Sequence, residues 1–227
     1  MTPSTDTTGR AQPGAVLVLG AGPGVGLAVA RRFADDGHPV ALVARDRERL
    51  SATVRDLEAD GRRAAYALAD VRDPDAVAAA VGDLQRRLGP VEVLCVSPLP
   101  DVATIKPAVD TTAQDLGAAL ALGVVGPAAA VSAVLPAMRE AGRGTLLFTT
   151  GSAVLTPRPE RAASGIVNAA QATWFGMLHD QLAPEGVHVL HTVIVGPIGE
   201  GGHAPADLAA AMWASAREGT DAQLVIR

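Results

Sequence analysis

The chain is poor in aromatics, in cysteine and in two residue types that often do acid–base work. Aromatic residues make up 3% of its 227 positions, with one tyrosine, Tyr66. Cys95 is the only cysteine, which excludes an internal disulfide and a cysteine-based zinc site. Lys106 is the one lysine among 19 Lys and Arg residues, so amine chemistry has a single candidate. No apolar run reads as the roughly 20 residues that span a bilayer. Met1–Gly14 is rich in Thr, Ser and Pro and has no apolar signal core. Residues 1–13 therefore read as a disordered tail ahead of a single domain over residues 14–227. The net charge of −5 argues against a nucleic acid or membrane-surface partner, since both select basic patches. No His, Asp and Glu set has ligand spacing, so no metal site is expected. The reading is a cytoplasmic protein acting on a small molecule.

Apolar residues make up 48% of the chain, enough for a sizeable core without disulfides or metals. Short β-branched runs alternate with amphipathic stretches from residue 15 onward. The strands read as Ala15–Leu19, Val40–Ala44, Arg63–Ala69, Val91–Val96, Gly144–Thr150, Val187–Val195 and Ala222–Ile226. Helical spacing covers Val25–Asp36, Arg47–Asp60, Pro74–Leu88, Arg161–Ala183 and Pro205–Arg217, with two helices across Thr112–Glu140. Strands apolar on both faces, alternating with helices, predict an α/β fold. Its doubly wound parallel sheet of about seven strands would be covered on both sides.

Gly20-Ala21-Gly22-Pro23-Gly24-Val25-Gly26 joins the first strand to the first helix. Gly20 suits backbone angles barred to other residues. Gly24 lets the backbone approach a pyrophosphate, and Gly26 lets the helix pack closely on the sheet. The N–H groups that open the helix, at Gly22, Gly24 and Val25, would face an anion. A tight turn that binds nothing is the competing reading, and the strand before and helix after favour the cradle.

The spacing Gly20-x-x-x-Gly24-x-Gly26 resembles the signature of the short-chain dehydrogenase/reductase family. The resemblance covers about residues 14–226 and implies a single-domain Rossmann fold. Ala41–Leu50 resembles the second-strand end of NADP-preferring members, where an arginine, here Arg45, meets the 2′-phosphate through its fork of donors. Asp70-Val71 resembles the pair that contacts adenine, although a capping or loop aspartate is an equal reading. Val195-Gly196-Pro197-Ile198 resembles the Pro-Gly turn after the sixth strand with its leading proline lost, and puts Ile198 on the cofactor side. The resemblance implies NADP(H) and a homodimer or homotetramer through the long helices Thr112–Glu140 and Arg161–Ala183.

The family's chemistry uses Tyr-x-x-x-Lys, a serine and an asparagine. The tyrosine is the acid or base at a carbonyl, and the lysine lowers its pKa and holds the nicotinamide ribose. Alignment through flanking residues puts Ser164 at the tyrosine, Asn168 at the lysine, Gly151 at the serine and Gly123 at the asparagine. Val96-Ser97-Pro98-Leu99 stands where the family usually writes Asn-Asn-Ala-Gly. Tyr66 lies in the third strand, on the adenine side. Lys106 lies in a loop that overhangs the crevice and reads as a surface lysine.

The candidate catalytic groups are therefore Ser152, Ser164, Asn168 and Thr150. Ser152 and Thr150 suit hydrogen bonds to a carbonyl oxygen, and Asn168 suits the ribose hydroxyls. Ser97, Thr149, Asp101, Arg158, Glu160, Glu200 and His203 stand nearby. Each also reads as an ordinary satisfied polar or loop residue, and His191 reads as a core histidine. Three functions stay open. The first is a non-redox step of small-molecule or secondary metabolism on a carbonyl-containing substrate: cyclisation, isomerisation, dehydration or aldol-type. The second is an NADPH-dependent reductase with a non-standard proton donor. The third is a non-catalytic NADP(H)-binding or partner subunit.

Overall fold

The computed structural model describes residues 13–100 and 105–227. The expected tail, up to residue 12, and Asp101 lie outside the described residues.

Seven strands form one parallel sheet: β1 (Ala15–Leu19), β2 (Val40–Ala44), β3 (Ala64–Leu68), β4 (Val91–Val96), β5 (Gly144–Gly151), β6 (Val187–Ile194) and β7 (Gln223–Ile226). Their order is β3-β2-β1-β4-β5-β6-β7. The order reverses between β1 and β4, and such a switch point opens a crevice at the carboxyl ends of the strands.

Side-chain alternation along each strand sorts the core into two layers. Ala15, Leu17 and Leu19 of β1 pack with α3 (Pro74–Leu88), α5 (Gly126–Ala141) and α6 (Ala162–Leu182). Val16 and Val18 face the other way, onto α1 (Val25–Asp35), α2 (Arg47–Ala59) and α7 (Pro205–Glu218). The caps are local sequence effects. Asp73 accepts from the backbone N–H groups of Asp75 and Ala76 and opens α3 with Pro74 at its first position. Thr112 and Asp115 form a reciprocal capping box that starts α4 (Ala113–Leu120).

α4 runs through one π-helical turn, Ala121–Val125, directly into α5. The uncharged run Leu116–Met138 within this stretch corrects one expectation. Ala113–Ala141 is long and apolar enough, by length and composition, to cross a bilayer, with a mean hydropathy of 2.1 over an 18-residue window. Alanine and glycine dominate the run, so it lacks the leucine-rich look of a spanning segment. In this fold α5 packs against α3 and α4 against α6.

Candidate functional site

The glycine turn is built as its spacing requires. Gly20 has φ +84°, in the left-handed region, and the N–H groups of Gly20 and Ala21 both donate to the Val43 carbonyl at 2.9 and 3.0 Å. A Cβ on Gly20 would lie 2.6 Å from Cα of Pro98, and one on Gly26 2.8 Å from Cγ1 of Val18. The turn is thus wedged between the end of β4 and the face of β1. By contrast, a Cβ on Gly24 meets nothing within 4 Å, and one on Gly22 meets only the Gly20 carbonyl, at 4.0 Å. Gly24 caps α1 without a side-chain bond, and the first turn, opened by Val25, holds no acidic residue. Uncapped N–H groups, the positive helix end and open space above Gly22 and Gly24 together fit a pyrophosphate.

Arg45 follows β2 directly and is 71% exposed, with Nη1 3.8 Å from Asp70. Asp70 is held mainly by Arg72, whose Nη2 lies 2.6 Å away, and its pKa falls to about 2 for that reason. Val71 is buried, and a Cβ on Gly126 would lie 1.7 Å from its carbonyl oxygen. The loop after β3 is thereby locked onto α5. Ile198, beyond β6, is exposed.

One face of α6 carries Ser164, Asn168, Gln171 and Phe175, spaced at helical intervals. Phe175 stacks on Phe148 of β5 at 3.8 Å, which fixes that face against the sheet. The Asn168 amide donates to the Gly151 carbonyl at 3.3 Å, so this face reaches the end of β5. α6 also packs on the 3-10 turn Ser152–Val154 that follows. Neither the Ser152 nor the Ser164 hydroxyl has a hydrogen-bond partner among the described residues. Thr150 is buried at the end of β5. Its Oγ1 lies 2.7 Å from Nε2 of His191. The neighbouring Thr149 faces the opposite side and donates to Ser97 Oγ at 3.1 Å.

The single tyrosine and lysine stand apart from these groups. Tyr66 lies in β3, the edge strand beyond β2. Lys106 places Nζ 2.9 Å from both oxygens of Asp115. Asp115 is lowered to about 2, first by the Thr112 backbone N–H, then by the Thr112 hydroxyl and Lys106. The Lys106 carbonyl also accepts from the N–H of Ala162, tying this loop to the start of α6. His203 donates from Nε2 to the Val195 carbonyl at 2.8 Å and folds the loop after β6 onto itself. Burial raises Cys95 to about 12 and lowers His191 to about 4.

Two features escape a reading by position alone. The Gln171 amide donates to the Gly123 carbonyl at 2.9 Å inside the π-helical turn. A Cβ on Gly123 would lie 2.5 Å from Cγ1 of Val167, so nothing larger than glycine fits there. The signal for Gln171 was its place three residues after Asn168 and seven after Ser164. The second feature is the partnership of Thr150 with His191, which only strand register reveals.

The profile of the family described as short chain dehydrogenase matches residues 14–199. The chain belongs to the short-chain dehydrogenase family. A short chain dehydrogenase of Pseudocercospora fijiensis is 31% identical over 180 residues, 78% of this chain and 56% of that protein. The chain thus spans about half the length of that fungal relative. The 2,3-dihydro-2,3-dihydroxybenzoate dehydrogenase of Bacillus subtilis is 28% identical over 201 residues, 87% of this chain and 72% of that one. A short-chain dehydrogenase structure from Rhodopseudomonas palustris superposes with a TM-score of 0.83 at 25% identity, covering 94% and 98% of the two chains. An NADPH-bound short chain oxidoreductase of Pseudomonas aeruginosa, described as containing an atypical catalytic center, shares the fold. It has a TM-score of 0.83 at 22% identity, covering 94% of each chain. These relatives are described as dehydrogenases and an oxidoreductase, and the chain is a member of an oxidoreductase family.

Proposed function

We propose that this protein holds NADP(H) across the Gly20–Gly26 cradle and catalyses a non-redox step on a carbonyl-containing small molecule. The reaction class is cyclisation, isomerisation, dehydration or aldol-type. One observation carries the reading. The polar side chains at the end of β5 include the hydroxyls of Thr150 and Ser152 and the amide of Asn168, with Ser164 one turn before Asn168 on α6, while Tyr66 sits in β3 and Lys106 is bound to Asp115. Hydroxyl and amide groups orient and polarise a carbonyl well, but at neutral pH they give up a proton poorly.

The dinucleotide would be held by the N–H groups of Gly22, Gly24, Val25 and Gly26 at the pyrophosphate and by Arg45 at the 2′-phosphate. Asp70 and Val71 would lie at the adenine, and Ile198 at the nicotinamide. When bound, it supplies a nicotinamide that accepts or donates hydride in redox members of the family. Ser152 and Ser164 bind the substrate carbonyl, and Asn168 holds the end of β5 in place for them.

A reductase with a non-standard proton donor is the second reading, favoured by the intact cradle and by the dehydrogenase and reductase relatives. The protein's partner is a second copy of itself. α6 presents Ile166 and Met177, 47% and 58% exposed, on one stripe with Ala169 and Thr173. The test is a screen of β-diketones, quinones and polyketide-like polyketones with NADPH present. Product formed without loss of NADPH absorbance supports the non-redox reading. Stoichiometric NADPH consumption moves the function to the reductase, and binding without turnover moves it to a partner subunit.

A further inference from the structure

His191 is buried, 3% exposed, and lies edge-on to Phe175 at 5.2 Å. Neither the cradle nor the hydroxyls of Ser152 and Ser164 hydrogen-bond to it, yet both its ring nitrogens are engaged. Nε2 lies 2.7 Å from Oγ1 of Thr150 in β5, and Nδ1 lies 3.4 Å from Nε2 of Gln223 in β7. A carboxamide nitrogen only donates, so Nδ1 of His191 is the acceptor. The ring hydrogen then belongs on Nε2, which donates to Thr150. A hydroxyl that accepts this bond keeps its own hydrogen to give. Among the described residues Thr150 Oγ1 has no other partner. Thr150 immediately precedes Gly151, whose carbonyl is held by Asn168 at the end of β5.

We propose that Gln223 and His191 are positioning residues that orient Thr150. The neutral chain from the Gln223 amide through the His191 ring to the Thr150 oxygen leaves the Thr150 hydroxyl hydrogen for an oxygen atom in the crevice. That oxygen belongs to water in the free protein and to the substrate carbonyl in the complex. No proton is transferred along the chain, since each bond only fixes the direction of the next. The functional half of this proposal rests on the carbonyl-binding reading of the crevice, while the tautomer does not. Burial supports the arrangement, because a charged ring would carry a second hydrogen on Nδ1, against the Gln223 amide.

The test is long-range proton–nitrogen correlation on protein labelled with 15N at histidine, at pH 7. The expected result is a neutral His191 with its hydrogen on Nε2, and loss of that preference in Gln223→Leu, an exposed position at the sheet edge. A hydrogen on Nδ1 overturns the proposal, because Thr150 would then donate to Nε2 and have nothing left to give. The second arm uses the carbonyl screen. Thr150→Val and His191→Phe should each lower kcat on the order of a hundredfold with KM little changed. Thr150→Ser should recover most of the Thr150→Val loss. Equal losses in the Val and Ser variants mark a packing role and overturn the proposal. Wild-type protein that turns over no carbonyl refutes the crevice reading alone, and the tautomer still decides whether the hydrogen is oriented.

Discussion

The buried ring of His191 makes stability fall on mild acidification, by an amount the structure sets. Burial lowers its pKa from the ordinary 6.5 to about 4. The unfolded chain therefore takes up a proton through pH 6.5, whereas the folded protein does so only near 4. Between those values the unfolded state binds more protons, and stability drops as pH falls. The full effect is roughly 3 kcal/mol at the acid end of the window, and it is absent above pH 7. Urea unfolding at pH 7.5 and pH 4.5 reads it in wild-type protein and in His191→Leu. The variant loses the Thr150 and Gln223 bonds at both pH values, so that offset cancels in the difference. His188, also lowered chiefly by burial, is present in both proteins and cancels too. Asp70 and Asp115, both near 2, act below this window. Wild type should lose about 2–3 kcal/mol more than the variant between the two pH values. Equal losses would refute a ring that is held neutral by burial.

Three further outcomes follow from particular contacts. Arg45→Ala should weaken NADPH by about 1–3 kcal/mol in calorimetry and leave NADH nearly unchanged; equal losses sink the 2′-phosphate assignment. Gly126→Ala should lower the melting temperature sharply, because its Cβ would sit 1.7 Å from the Val71 carbonyl, and overpacking of this kind costs about 1–3 kcal/mol or more. Gly151→Ser, where a Cβ meets nothing within 4 Å, should melt as wild type. Combining it with Ser164→Tyr and Asn168→Lys should raise NADPH consumption with a diketone above the wild-type level. No gain would mean that the crevice does not align a carbonyl with the cofactor.

Most of the architecture was legible because its signals are local. Doubly apolar runs gave each strand to within a residue or two at either end; the third, expected at Arg63–Ala69, forms over Ala64–Leu68. Asp-Pro marked the start of α3, and the glycine spacing marked a turn that needs both a left-handed residue and a close helix approach. The crevice was legible only as a set of positions. Thr150 was legible as a hydroxyl beside Gly151, but its partner His191 comes from β6, and only strand register brings the two together. Lys106 looked free because its partner is nine residues away, in a helix whose cap Asp115 also makes. The π-helical turn at Gly123 has no local code. There α6 brings Val167 and Gln171 against that residue, a contact between segments far apart in the chain.

The central claim is that the cradle still binds a dinucleotide even though the groups beside it are hydroxyls and an amide. Calorimetric titration with NADPH, on wild type and on Gly24→Ala, tests it most directly. A methyl group on Gly24 meets no neighbouring residue within 4 Å, so it crowds nothing in the fold and yet would obstruct the pyrophosphate. The account predicts micromolar binding to wild type, with about 2.7 kcal/mol of added stability at a hundredfold excess over Kd, and little or no binding to the variant. No binding by wild type at millimolar NADPH, or equal binding by both proteins, would contradict it.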